Sequence, residues 1–376
     1  MPRAGQSADA EIFHREMLPF GGRVAWERGA GTPAGEAYAW MSRSAQSLIA
    51  SASTHLPRLP KIHFDFVFNA SVNAFAFKWD ERYFVGVTSG AVFMLELVFS
   101  RMLRHRRLLT HAGDATSEAE NLPTIAGLMP DADQMLGRGV IPLSPKSDAR
   151  SRYASHLLDR ALLFLVGHEI AHITNGHVDY VQAKSGNGFI AELGWYEEGQ
   201  KALLERQALE ADADCRSVVS AVDTVRLMST RTAPVIAPWS ASRLEAGDLL
   251  FDWSFAMNSL FRLFGDVRFT GASLPTVPYP PLPLRRMIAT VEAYTIIKAT
   301  WQPGLVEAAV AAFRRAIFDT ETAFAAITGQ EVSADGLGDA LGPDGHAHVH
   351  ALMDLLHGEL RDRLLPYAYK QPKRQE

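Results

Sequence analysis

Cysteine is almost missing from this chain of 376 residues, which has one, Cys215. A single thiol closes no disulfide within the chain, which excludes a disulfide-stapled fold and fits a reducing compartment. Cys215 falls in a predicted buried helix and reads as a small core residue. A basic excess is missing as well. With 37 Lys and Arg against 42 Asp and Glu the formal net charge is −5, so no electrostatic pull toward nucleic acid is expected. The one compact basic run, Arg104-His105-Arg106-Arg107, reads as a solvated helix end. Long apolar runs are absent too: Ala91 to Ser100 is the nearest, and Glu96 interrupts it, whereas a membrane span needs about 20 apolar residues. Residues 1 to 20 lack the charged-then-apolar order of a secretory signal. The expectation is a cytoplasmic protein with neither a membrane nor a nucleic-acid partner.

What is present is the material of a large core: 47% hydrophobic and 21% charged residues. Gly35 to Thr54 predicts a helix. Ile62 to Phe68 alternates at period two, as a half-buried strand does. Asn69 to Phe77 and Tyr83 to Val87, joined by a charged turn at 79 to 82, predict a hairpin or meander in which Asn73 to Phe77 is either an open edge or a buried strand with Asn73 hydrogen-bonded internally. Thr88 is placed to cap a helix running to about Leu109. The long stretch from His111 to Lys146, rich in Pro and Gly, has no strong periodicity and reads as a surface loop, with a lid overhanging the cleft as the alternative. Helical patterns dominate from Leu157 onward. The fold class expected is mainly α with a small β-sheet (α+β), with a main domain over 1 to 300 and a helical extension over 301 to 376.

One stretch organises the rest: His168-Glu169-Ile-Ala-His172, an HExxH pattern following the apolar helical run from Leu157 to Leu165. Residues four apart share a helix face, so His168 and His172 can direct ring nitrogens at one ion. Glu169 faces the same cleft one position round, where a general base for an activated water stands. Gly176 is a plausible helix stop, and His177 reads as a residue that caps or packs near that end.

Zinc needs a third protein ligand. A His ten residues after the first would complete one known pattern, but position 178 is Val and His177 falls one residue early. A carboxylate from another helix remains. Glu210 and Asp214 stand one turn apart among small residues, Ala208, Ala211 and Ala213, that let helices approach closely. Glu210 is then the expected third ligand, with Glu205 its main competitor. Asp214 is placed to accept a ligand histidine's other ring N–H. Towards the C-terminus His350, Asp354 and His357 share one helix face and read as solvated, with a second metal site as the alternative.

These motifs resemble the gluzincin peptidases of the CAAX prenyl protease and HtpX type, in which HExxH is followed by ExxAD, here Glu210 to Asp214. The resemblance spans about residues 60 to 290. Asn73-Ala74-Phe75-Ala76 is similar to that family's NAFA element, which implies substrate binding by Asn73, Ala74 and Phe75. Tyr279-Pro280-Pro281 with Arg285 is similar to its His-Pro-Pro…Arg motif, with Tyr in place of His, and implies an active-site role for Tyr279 and Arg285, such as oxyanion stabilisation. The membrane helices of those relatives have no counterpart here. The central motif alone is also similar to the phage-exclusion peptidases of the Lit type. The resemblance implies a zincin-like fold, one Zn²⁺ and a protein or peptide substrate. The rival expectation is a silent or latent peptidase fold serving as an interaction module.

Overall fold

The computed structural model of the chain describes residues 7–185, 189–191, 200–230, 245–265, 268–277 and 279–369. Two helices, α1 (Ala8–Met17) and α2 (Pro33–His55), precede three strands, β1 (Ile62–Val67), β2 (Ala74–Trp79) and β3 (Arg82–Thr88). The β2–β3 hairpin turns at Asp80, whose φ of +51° is a left-handed value that Asp tolerates. Strand order corrects the meander. It is β1-β3-β2-β4, with β3 parallel to β1 and antiparallel to β2, because residues 68–73 carry the chain past one strand position before the hairpin returns into it. A short β4 (Phe189–Ala191) pairs antiparallel with Phe75 to Phe77. The open-edge alternative for β2 therefore fails: the strand is covered at those residues and is an interior one.

Period-two alternation divides the sheet between two apolar clusters. Phe64, Phe66, Ala74, Ala76, Tyr83, Val85 and Val87 face the main core. Val67, Phe75, Phe77 and Phe84 face the other way, where Phe13 and Met17 of α1 cover them. The N-terminal segment, which carries little periodic signal beyond its short helix, thus closes one face of the sheet.

Thr88 caps α3 (Ser89–Arg104), its hydroxyl accepting from the Ala91 N–H at 3.2 Å, an arrangement that stabilises a helix by about 1 kcal/mol. The basic run at its end is paired: Arg104 meets Glu118, and Arg107 meets Glu120, each at 2.7 Å. The segment from 111 to 146, with its short α4 (Ala132–Gly137), is not a lid. Arg101 holds the Pro123 and Ile141 carbonyls, Ile125 bonds to Ile327, and Glu118 accepts from the Lys146 and Ser147 N–H groups. These bonds pin it beside the start of α5 (Asp148–Thr174), about 30 Å along that helix from His168.

At 27 residues α5 is about 40 Å long and lacks a polar face over most of its length, so it must be buried on nearly every side. It packs against α2, α3, β2, α7 (Gln200–Ser229) and α8 (Ala246–Phe264). Arg150 ties down its first turn, donating to the carbonyls of Leu103, His105, Leu108, Leu109 and Ala112 while fully buried. Behind it stand α9 (Leu282–Thr300) and α10 (Pro303–Thr328), the latter laid along α8. The stretch that follows α10 contains the short α11 (Asp335–Ala340). The last helical pattern is broken into α12 (Pro343–Leu355), a wider turn at Leu356–Leu360 and α13 (Arg361–Leu364). Leu352, Leu356, Leu360 and Leu364, four apart, bury one stripe against Tyr180, Ala208, Leu209 and Ala211. No helix among the described residues is long and apolar enough to cross a membrane.

Candidate metal centre

α5 ends at Thr174 with Asn175 as its C-cap, and Gly176 takes φ +83°, the left-handed value that lets the chain leave a helix sharply. A new helix, α6 (His177–Ser185), begins at once. Four groups crowd the last turns of α5: His168, Glu169 and His172, each at most 1% exposed, and His177, fully buried. Opposite them α7 closes on α5 where Gly167 faces Ser217: the Ser217 hydroxyl donates to the Phe164 carbonyl at 2.7 Å and a Cβ on Gly167 would stand 2.8 Å from it, whereas Ala208 and Ala211 are buried against the Leu352 to Leu364 stripe.

Across that contact Glu210 reaches the histidine pair. His168 Nε2 lies 3.0 Å from His172 Nε2 and 3.2 Å from Glu210 Oε2, and His172 Nε2 lies 3.7 Å from Glu210 Oε1. One ligand atom from each residue falls within 4.8 Å of the others. The Glu210 Oε2 atom is buried and, among the described residues, accepts no hydrogen bond. Two nitrogens bound at about 2.0–2.1 Å to one tetrahedral ion stand about 3.3 Å apart, close to the spacing of the two imidazoles. Two imidazoles and a carboxylate converging in a buried place fit a zinc ion, and an open fourth position is what distinguishes a catalytic from a structural zinc site.

The outer nitrogens are also engaged. His168 Nδ1 is 2.9 Å from Asp214 Oδ1, and since a carboxylate only accepts, the proton sits on Nδ1 and leaves the Nε2 lone pair facing Glu210. Arg285 of α9 grips Asp214 with Nε at 2.7 Å and Nη2 at 2.8 Å. Burial alone would raise the Asp214 carboxyl, but the charge and hydrogen bonds of Arg285, with the bond from His168, hold it below its ordinary value of 3.8. His172 Nδ1 faces His177 Nδ1 at 2.9 Å, and His177 Nε2 faces Asp212 Oδ2 at 3.0 Å. Burial, reinforced by the neighbouring His168, His177, Arg285 and Arg206, pushes His172 well below 6.5, so it is neutral, as a ligand must be.

Residues 36–195 match the family described as Peptidase family M48. The matched span takes in the sheet and the His168 to His172 helix and stops before α7, so it does not reach Glu210. It supports a zinc-dependent peptidase function of the gluzincin kind in general. No curated protein and no solved structure matches the chain.

Other residues singled out from sequence are placed as follows. Glu205, the competing carboxylate, turns away from the histidines: Tyr180, Lys184 and Arg363 each donate to it at 2.7 Å. Glu192, Glu197 and Glu198, further carboxylates downstream of His172 and so candidate third ligands, lie outside the described residues. Arg285, expected near a reacting carbonyl, is found holding Asp214. The Tyr279 hydroxyl accepts from Arg206, whose guanidinium also lies over the Tyr279 ring at 4.6 Å. Ala74 and Phe75 are buried in the two clusters of the sheet, and Asn73 Oδ1 accepts from the Ala74 N–H at 2.9 Å, ahead of β2. His350, Asp354 and His357 are exposed, and the His168, His172 and Glu210 group is the metal-type cluster found among the described residues.

Sequence reasoning missed Asp212, Arg206, Gln207 and His348. Asp212 sits between Glu210 and Asp214, and two positions along a helix point to different sides, so periodicity assigns it to solvent. It meets His177 only because α6 starts back across the end of α5. Gln207, fully buried, donates to the Leu274 and Val277 carbonyls at 2.8 and 2.6 Å and meets His348 Nε2 at 2.6 Å. Through it α7 and α12 hold the loop that leads to Tyr279.

Proposed function

We propose that this protein is a zinc-dependent endopeptidase that hydrolyses a peptide bond in a protein or peptide substrate. The observation that carries the reading is the convergence of His168 Nε2, His172 Nε2 and Glu210 on one buried point, with Asp214 fixing the proton of His168 on the far nitrogen. His168, His172 and Glu210 would hold the ion. When bound, zinc supplies Lewis acidity, polarising a scissile carbonyl and lowering the pKa of water to about 7.

Glu169 follows His168 directly on α5 and is fully buried beside it. It accepts a proton from the attacking water and hands it to the departing amine. Arg285 keeps Asp214 ionised and oriented, which makes it a positioning residue. We assign the oxyanion donor to Tyr279, whose phenol oxygen accepts from the Arg206 guanidinium, because a cation at that oxygen strengthens its O–H as a donor. Ala74 and Phe75 belong to β2, which packs against α5, and Asn73 directly precedes it; we assign the backbone of these three residues to the floor of the cleft.

The test has two parts. Purified protein should contain about one zinc per chain, and Glu169→Gln should keep that zinc while cleavage of a general protein substrate falls by about 10²–10⁴-fold. A Glu169→Gln variant that cleaves at the wild-type rate removes Glu169 from the chemistry. Protein that binds no zinc removes the whole reading.

A further inference from the structure

The pair His177 and Asp212 does something that neither the HExxH pattern nor the family match assigns to it. We propose that Asp212 and His177 form an orienting relay that holds His172 with its proton on Nδ1 and its Nε2 lone pair facing Glu210; the inference rests on the zinc reading of the site. Asp212 Oδ2 takes Asn175 Nδ2–H at 2.6 Å and stands 3.0 Å from His177 Nε2. A carboxylate only accepts, so the proton between them is on His177 Nε2. A neutral imidazole with Nε2 protonated has an acceptor at Nδ1, and that atom lies 2.9 Å from His172 Nδ1. His172 must therefore donate from Nδ1, which leaves Nε2 unprotonated and directed at Glu210, 3.7 Å from Oε1.

His168 reaches the same state by one contact with Asp214; His172 reaches it by two. The difference follows from the chain's path. α7 passes His168 directly, whereas His172 is the last histidine on α5 and its outer nitrogen faces the turn into α6. Gly176 at φ +83° folds that turn back, so the first residue of α6, His177, lands against His172 with no exposed surface. Asn175 bonds the same Asp212 oxygen and orients the carboxylate. Thus the turn Asn175-Gly176-His177 and Asp212 of α7 form one device, and its far end, Asp212, is 27% exposed at the side chain.

The relay is tested by zinc affinity, measured with a competing chelator, and by the ring ¹⁵N shifts of His172 in zinc-loaded protein. His177→Leu and Asp212→Ala should each weaken zinc about 10–100-fold, the range seen when outer partners of ligand histidines are lost. His177→Gln should stay within about threefold of wild type, because an amide oxygen accepts from His172 Nδ1–H while its NH₂ donates to Asp212. The ¹⁵N shifts should report an Nδ1-protonated His172 in wild type and in His177→Gln. Wild-type affinity in Asp212→Ala and His177→Leu overturns the relay, as does a His177→Gln loss equal to that of His177→Leu. Should His177→Leu fail to fold, Asp212→Ala and His177→Gln decide by the same criteria. Wild-type protein with no zinc affinity, or with affinity unchanged by His168→Ala, defeats the zinc reading itself, a result distinct from loss of the relay alone.

Discussion

His168 and Asp214 meet at 2.9 Å across the contact of α5 and α7, and Arg285 closes on the same carboxylate from α9. Three helices are thereby joined through one wholly buried acid. Such a carboxylate is stable only while its partners remain, and removing one partner of a buried pair costs about 3–5 kcal/mol. Arg285→Leu should therefore lower stability by about that amount and loosen zinc about 10–100-fold through His168. Chemical denaturation and chelator competition check both; an Arg285→Leu protein with wild-type stability and zinc affinity would show that the ion pair orients nothing.

Acid should loosen the metal-free protein early. The folded state keeps His172 neutral well below 6.5, whereas the unfolded chain takes up a proton near that value. Its contribution to stability is full above 6.5 and declines as pH falls below it, because the unfolded state then binds more protons. Asp214, held below 3.8, adds a second loss at lower pH, as it is protonated in the unfolded chain first. With a chelator present, the melting temperature should fall between about pH 7 and about pH 5. A flat profile across that window contradicts the assignment of a neutral buried His172.

Gly176 is irreplaceable on two counts. A Cβ there would meet the Tyr367 carbonyl carbon at 2.6 Å and the Ala368 nitrogen at 2.7 Å, and a left-handed residue with a side chain costs about 1–2 kcal/mol before any clash. Tyr369 N–H donates to the Thr174 carbonyl at 3.0 Å, so the chain after α13 lies against this turn. Gly176→Ala should destabilise by about 2 kcal/mol or more and release residues 366–369, read as faster proteolysis after α13. Unchanged melting temperature and unchanged proteolysis would mean that the C-terminal segment does not bear on the turn.

Gln207 makes three hydrogen bonds without any exposed surface. Gln207→Leu keeps much of the volume and leaves the Leu274 and Val277 carbonyls and His348 Nε2 without their partner, at about 1–3 kcal/mol for each group that water does not reach. We expect a stability loss of several kcal/mol and, since the bonded loop leads to Tyr279, a lower turnover with zinc affinity unchanged. Equal losses of zinc and turnover would instead place Gln207 in support of the metal ligands.

From the residues alone one could read the helix carrying His168, Glu169 and His172, because a three-residue interval places two imidazoles on one face wherever the helix goes. The Glu210 and Asp214 pair was legible for the same local reason, as were the β2–β3 hairpin and the Thr88 cap. The order of strands was not, since a parallel β1–β3 pairing depends on where residues 68–73 carry the chain, and the covering of β2 by β4 joins residues more than a hundred positions apart. Whether Glu205 or Glu210 faces the histidines was settled by which side of α7 meets α5. The bonding of His177 to Asp212 required a turn at Gly176 and a helix crossing together. Periodicity is a property of one segment, so it assigns faces; which faces meet is decided only when the apolar surfaces of all segments are buried at once.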